Sequence, residues 1–115
     1  DRLLAGLNNI VANPKVAGVS GSLEGDIQRD VMQSSIKQNE FLSSIESILG
    51  YPLKTEKRGG VSDANIVSSV GVATLDGFGP YGDGDHTVHE RANKQSFVRR
   101  IDEVSKILLA YNAIK

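Results

Sequence analysis

A glycine-rich stretch from Asp76 to Glu90 constrains the fold of this chain more than any other segment. It reads Asp-Gly-Phe-Gly-Pro-Tyr-Gly-Asp-Gly-Asp-His-Thr-Val-His-Glu, with four glycines and one proline, and it holds both histidines of the chain. Glycine and proline at this density exclude a helix and disfavour a strand. The stretch is therefore predicted to be a shaped loop.

The end of this loop is rich in side chains that can bind a metal or transfer a proton. They are Asp83, Asp85, His86, His89 and Glu90. These residues alone leave three interpretations open: metal binding, acid–base chemistry, or a solvated polar loop. A helical metal site is disfavoured, because glycines precede His86 and two β-branched residues separate it from His89. A phosphate-binding loop is also disfavoured, since the loop has no dinucleotide fingerprint and its acidic residues would repel phosphate.

Composition limits the classes of partner and the cellular compartment that we expect for this chain. A net charge of −1 provides no field to attract nucleic acid or an acidic membrane, so we expect a small molecule or another protein as the partner. The chain has no cysteine, so any zinc site would have to use histidine and carboxylate ligands. It also has no signal peptide and no apolar run of about 20 residues. We therefore expect a cytoplasmic protein.

Hydrophobic periodicity predicts four helices. The first covers residues 3–11 and stops before Pro14, and the second follows Ser35 and ends at Gly50, where a left-handed C-cap is favoured. A third helix begins after Ser62, a favourable N-cap. The fourth is the longest, and its apolar residues recur on one face: Phe97, Ile101, Val104, Leu108 and Tyr111. We expect that face to pack along a sheet.

Three segments are predicted to be β-strands: residues 16–23, 53–57 and 72–75. The last two flank the third helix, and a strand, helix, strand order favours a parallel pair with a right-handed crossover. The predicted fold class is therefore α/β, with helices on a sheet of parallel type.

Three motifs in the second half of the chain carry a resemblance to a known family. They are Gly59-Gly60-Val61-Ser62-Asp63, then Leu75-Asp76-Gly77-Phe78-Gly79-Pro80, then His86-Thr87-x-x-Glu90 before the long helix. In this order they resemble the C-terminal part of the dinuclear zinc aminoacylase and carboxypeptidase family. That family includes glutamate carboxypeptidase, acetylornithine deacetylase and succinyl-diaminopimelate desuccinylase.

The resemblance implies a division into two domains. Residues 1–33 match the last helix and strand of an α+β lid and dimerisation domain, and residues 34–115 match the end of a catalytic α/β sandwich. Because the chain also begins within a predicted helix, we expect it to be part of a longer protein. Exposed strand edges and apolar faces in such a segment lead us to expect a homo-oligomer.

The resemblance also assigns roles to individual residues. His86 matches a histidine that binds one of two zinc ions, for which other divalent metals are possible replacements. Glu90 matches the glutamate that closes the motif, whose role is either to support the ligand from outside the coordination sphere or to anchor the loop. The turn facing the substrate carboxylate is matched by Gly59, Gly60, Ser62 and Asp63. Arg29 matches an arginine that grips the same carboxylate, although Asp30 stands where the family has proline, and a solvated lid-edge charge is the alternative.

The function implied by the resemblance is zinc-dependent hydrolysis of an amide bond in N-acyl amino acids or small peptides. The remaining zinc ligands and the general base of that family precede this segment, so we expect the chain to be inactive by itself. Two other classes stay open: a non-catalytic interaction or dimerisation module, and an anion-binding α/β domain.

Overall fold

The computed structural model describes residues 2–111, which contain four helices and one short hairpin. The elements in chain order are α1 (Arg2–Ala12), α2 (Ile36–Leu49), α3 (Asp63–Ser69), β1 (Gly82–Asp83), β2 (Arg91–Ala92) and α4 (Lys94–Ala110). The chain divides into two compact units, residues 1–30 and residues 31–115. Within residues 2–111, every helix is too short or too polar to cross a bilayer.

The first unit consists of α1 and an irregular segment. The predicted helix over residues 3–11 is confirmed, but the predicted strand over residues 16–23 is wrong. The chain turns there instead, with the amide of Val19 donating to the carbonyl oxygen of Val16 at 3.3 Å and with Gly18 at a φ of 79°. The alternating pattern satisfied the period of a strand, but a strand also needs a hydrogen-bonded neighbour, and residues 2–30 provide none.

The other three predicted helices are confirmed. Local capping residues fix where they begin and where α2 ends. Ser35, Ser62 and Asn93 are the N-caps, and each side-chain oxygen accepts a hydrogen bond from a backbone amide in the first turn. Gly50 closes α2 in the left-handed conformation, with a φ of 80°. These contacts depend on residues close in sequence, so they can be predicted without knowledge of the tertiary fold.

The predicted α/β sandwich is wrong. Between residues 2 and 111 the sheet content is β1 and β2 alone, paired antiparallel with Gly82 opposite Ala92 and Asp83 opposite Arg91. Residues 53–57 and 72–75 have no regular secondary structure, and the amide of Leu53 donates to the carboxylate of Glu46 at 2.7 Å. Apolar runs indicate that a segment can be buried, but they do not specify a strand partner.

The buried centre of the second unit lies where α2 packs on α4. Ile45 and Leu49 of α2 are its buried hydrophobic residues among those described, and α4 contributes two polar residues, Ser96 and Glu103. The apolar stripe of α4 was expected to pack along a sheet, and this prediction is also wrong because Ile101 remains 65% exposed. The interior of this unit is therefore small and partly charged.

Candidate functional site

The hairpin β1–β2 holds the segment that contains both histidines. Its two strands are joined by a cross-strand ion pair in which Arg91 Nε lies 2.9 Å from Asp83 Oδ1 and Arg91 Nη2 lies 3.0 Å from Asp83 Oδ2. Both side chains are exposed, so this ion pair contributes at most about 1 kcal/mol to the stability of the hairpin. Its two members are the residues that lie opposite each other in the backbone pairing of the hairpin.

Two glycines allow the strands of the hairpin to approach closely. A Cβ atom at position 82 would overlap the carbonyl group of Arg91. A Cβ atom at position 84 would lie 2.8 Å from the carbonyl oxygen of His89, and Gly84 also has a φ of +74°. A side chain at either position would therefore force the backbone apart.

Thr87 organises the loop between the two strands. Its amide and its hydroxyl both donate to the carbonyl oxygen of Gly84, at 3.1 and 2.7 Å. The same hydroxyl oxygen accepts from the amide of His89 at 3.1 Å, and the amide of Glu90 donates to the Thr87 carbonyl oxygen at 3.2 Å. These four bonds close a tight and fully exposed turn.

His86 lies at the centre of this turn in an unusual conformation. Its φ is 64°, which makes it the one residue other than glycine with a positive φ among the residues described. The left-handed region costs about 1 to 2 kcal/mol for a residue with a Cβ atom. The carboxylate of Glu90 opposes that cost by accepting a hydrogen bond from the His86 amide at 3.1 Å. Glu90 thus contacts the backbone of His86.

The side chains around His86 do not form a complete metal site. Within residues 2–111, no three His, Asp or Glu side chains are grouped so that they could hold an ion. Zinc requires three or four protein ligands. The exposed imidazole of His86 has the right chemistry for one of those positions, and the others would have to be supplied from outside these residues.

An open surface depression lies on the hairpin beside His86. It is lined by Asp83, Gly84, Val88, His89, Glu90 and Arg91. Glu90 therefore connects the two features, since its carboxylate holds the His86 backbone while the residue also borders the depression.

The predicted substrate-binding turn, residues 59–63, is joined to the start of the glycine-rich loop. The hydroxyl of Ser62 donates to Asp76 Oδ2 at 2.6 Å while its oxygen accepts from the amide of Ala64 at 3.2 Å. Gly59 and Gly60 precede this contact, and both are exposed with open space on their Cα atoms. Asp63 is the first residue of α3.

The remaining predicted site residue, Arg29, belongs to the first unit, whereas all the others belong to the second. It is exposed and lies in a bend. Thus the structure brings His86 together with Glu90, and Ser62 together with Asp76, as two separate contacts.

Sequence reasoning missed a charged cluster around Glu103 that supports the glycine-rich loop. Glu103 is 1% exposed, and its carboxylate accepts from the hydroxyl of Tyr51 at 2.5 Å, Arg99 Nε at 2.8 Å and Arg100 Nη1 at 2.7 Å. Burial raises the pKa of Glu103, but the hydrogen bonds from these three groups outweigh that effect and lower it to about 2. The hydrogen bond to Glu103 in turn raises the pKa of Tyr51.

Arg100 extends this cluster to the first part of the glycine-rich loop. Its Nε donates to the carbonyl oxygen of Gly79 at 3.1 Å, and its guanidinium carbon lies 6.0 Å from the centre of the Phe78 ring. The one available sequence signal was spacing: Arg99 and Arg100 lie four and three residues before Glu103 and so share its helix face.

Buried Ser96 makes a second anchor for the loop. The amide of Tyr81 donates to the Ser96 hydroxyl oxygen at 3.1 Å, and the Tyr81 carbonyl oxygen accepts from the amide of Asn93 at 2.9 Å. The loop is therefore fixed to the N-terminal half of α4 immediately before β1 begins.

Comparison with family models, curated proteins and solved structures finds no match for this chain. The family resemblance therefore stays a prediction from the three motifs.

Proposed function

We propose that this chain is the C-terminal segment of a zinc-dependent metallopeptidase or amidohydrolase. The substrate class is an N-acyl amino acid or a small peptide, and the bond cleaved is its amide. In this proposal His86 provides one zinc ligand, Glu90 holds the ligand's backbone, and the turn over residues 59–63 contributes to a pocket for the substrate carboxylate.

The observation that carries the proposal is the left-handed conformation of His86. A strained residue persists where its surroundings hold it in place, and such residues concentrate at functional sites. Here the surroundings are specific: Gly84 permits the close approach, Thr87 closes the turn and Glu90 binds the His86 amide. The result is a constrained backbone that carries an exposed imidazole, a side chain that can bind zinc when thiolates are absent.

The contact between Ser62 and Asp76 supports the same proposal. It joins the first two of the three resemblance motifs, although fourteen positions separate the two residues in sequence. Motifs that act on one substrate must lie close together, and this hydrogen bond of 2.6 Å meets that requirement for the turn and the glycine-rich loop.

In the proposed reaction, the residues of this chain bind metal and substrate and do not act as the general base. His86 would bind zinc through a neutral ring nitrogen, and the planar fork of Arg29 suits pairing with a carboxylate. A zinc ion held by His86 and by ligands outside these residues would supply Lewis-acid chemistry to the amide carbonyl and to a water molecule. A general base and further ligands come from parts of the enzyme outside these residues.

An assay of the natural gene product that contains this chain tests the proposal. We expect hydrolysis of at least one member of a panel of N-acyl amino acids and dipeptides, loss of activity with a chelator, and recovery with zinc. The 115-residue chain alone should be inactive with zinc present. Activity that survives complete metal removal, or an isolated chain as active as the gene product, would contradict the proposal.

A further inference from the structure

Two aspartate-glycine pairs lie in the glycine-rich loop, Asp76-Gly77 and Asp83-Gly84. An aspartate followed by glycine can react with its own backbone, because the glycine nitrogen can attack the side-chain carboxyl carbon and close a five-membered succinimide ring. Glycine has no side chain to obstruct that approach. The residue types make the two pairs equal candidates, so any difference in their reactivity has to come from the structure.

The first pair is held in the arrangement that ring closure needs. The Gly77 amide donates to Asp76 Oδ1 at 2.7 Å, and the Ser62 hydroxyl donates to Asp76 Oδ2 at 2.6 Å. These two contacts keep the Asp76 carboxyl group beside the nitrogen that attacks it. Holding two reacting groups close together removes much of the entropic cost of their reaction.

The surroundings of the first pair do not obstruct the reaction. Asp76 and Gly77 are exposed and lie outside the helices and the hairpin strands, so water can reach them. Gly77 has a φ of +86°, and the space beside its Cα atom is open. Ring closure at this pair therefore disturbs no helix or strand.

The second pair is protected by the hairpin. Both carboxylate oxygens of Asp83 accept hydrogen bonds from Arg91, at 2.9 and 3.0 Å. Asp83 belongs to β1, and the backbone at Gly84 is close to the carbonyl group of His89. Ring closure at Asp83 would have to break the ion pair and displace the paired backbone.

Asp26 provides a comparison in which the short contact is present without glycine. The amide of Ile27 donates to Asp26 Oδ1 at the same distance of 2.7 Å, and both residues are exposed. The β-branched side chain of Ile27 is stiff and crowds its own backbone nitrogen. Of these three pairs, Asp76-Gly77 alone combines the short contact with a following glycine and a backbone outside the hairpin.

We propose that Asp76 is a site of spontaneous isomerisation to isoaspartate. In the first step the Gly77 nitrogen bonds to the Asp76 carboxyl carbon and loses its proton. One carboxyl oxygen leaves as water, taking that proton and one from solvent. In the second step water opens the ring and the solvent proton is returned, so the mass of the chain is unchanged. Opening at the original main-chain carbonyl routes the backbone through the former side chain and adds one carbon atom to it.

This isomerisation alters the contact between Ser62 and residue 76. In isoaspartate the free carboxylate is attached directly to the Cα atom, so it is displaced from the position in which it accepts the Ser62 hydrogen bond. The proposed modification requires only Asp76, Gly77 and water, and its formation is independent of the hydrolase function. A loss of activity as isoaspartate accumulates rests on that function, because Ser62 and Asp76 join two of its motifs.

Incubation of the native chain for several weeks at neutral pH tests the proposal. Peptide mapping by mass spectrometry with electron-transfer fragmentation distinguishes isoaspartate from aspartate at each position. We expect isoaspartate to form at Asp76 at least about five times faster than at Asp83, the factor equivalent to one exposed ion pair of about 1 kcal/mol. In concentrated urea, which unfolds the hairpin, the two rates should be similar. Equal rates in the folded chain, or no isoaspartate at Asp76, would overturn the proposal.

Two variants test the structural reasons for the difference. Asp76→Glu would need a six-membered ring, so isomerisation at this position should stop. Arg91→Ala removes the ion pair of Asp83 and should raise the rate at Asp83 by up to about fivefold while the rate at Asp76 stays unchanged. An unchanged rate at Asp83 would contradict the protection that separates the two pairs.

Discussion

The α2–α4 pair and the hairpin around His86 are stabilised in opposite ways. The helix pair depends on a buried carboxylate that receives three hydrogen bonds, whereas every residue of the hairpin is exposed and its shape comes from glycines and backbone hydrogen bonds. Burial makes each interaction in the first region expensive to remove. The second region can therefore tolerate changes to exposed side chains while remaining sensitive to changes in backbone geometry.

Removing the buried carboxylate should have the largest effect. Glu103→Ala leaves the hydroxyl of Tyr51 and the guanidinium of Arg100 without their shared partner, and we expect a loss of about 3 to 5 kcal/mol in the free energy of unfolding. Asp102→Ala is the matched control, because Asp102 pairs with Lys106 on the exposed side of the same helix. The control should change stability by less than about 0.5 kcal/mol in urea unfolding. Equal losses for the two variants would remove the distinction between the regions.

Acid should weaken the helix pair through the same group. The pKa of Glu103 is about 2 in the folded chain against an ordinary value of 4.5. A lowered pKa contributes stability that is complete above the ordinary value and is lost as pH falls through the folded value. We expect about 3 kcal/mol to disappear between those two limits. Unfolding midpoints measured from pH 6 to pH 2 should show this loss, and Glu103→Gln should show much less.

The helices could be predicted from the sequence because their determinants are local. Ser35, Gly50, Ser62 and Asn93 each act on the backbone within one turn. The sheet prediction was wrong because strand pairing depends on distant partners, which an apolar run does not specify. The burial of Glu103 was missed for a similar reason. Its partner Tyr51 lies fifty-two positions earlier in the sequence.

The sequence was sufficient to predict where the candidate site lies along the chain but not the backbone conformation of its residues. The glycine pattern correctly indicated a loop, but neither the short β1–β2 pairing nor the left-handed conformation of His86 follows from residue types alone. Strands of two residues are too short to show a period of two. The positive φ of His86 depends on the contact with Glu90, which requires the folded turn.

A backbone change in the hairpin should have the next largest effect. Gly84 has a left-handed backbone, and Gly84→Ala would add a Cβ atom 2.8 Å from the His89 carbonyl oxygen. We expect the free energy of local opening to fall by about 1 to 2 kcal/mol. The Thr87 and Glu90 amides should then exchange with solvent roughly 5 to 30 times faster. Gly79→Ala, in open space in the same loop, should leave their exchange unchanged. Equal effects would argue against a close backbone approach.

A side-chain change in the hairpin should have the smallest effect. Arg91→Ala removes an ion pair whose members are 77% and 65% exposed. We therefore expect the free energy of local opening of the hairpin to fall by less than about 1 kcal/mol. The same amide exchange measurement should show a smaller change than Gly84→Ala, and high salt should reduce the difference from the native chain further. A larger effect than that of Gly84→Ala would show that charge, and not backbone shape, maintains the hairpin.

Zinc content is the most direct test of the central proposal, which places a metal ligand at His86. The natural gene product containing this chain should hold about two zinc ions per subunit, as expected for a two-metal site. His86→Ala should lose at least one of them, while His89→Ala, three positions away in the same exposed turn, should keep both. Unchanged zinc content in His86→Ala would contradict the proposal.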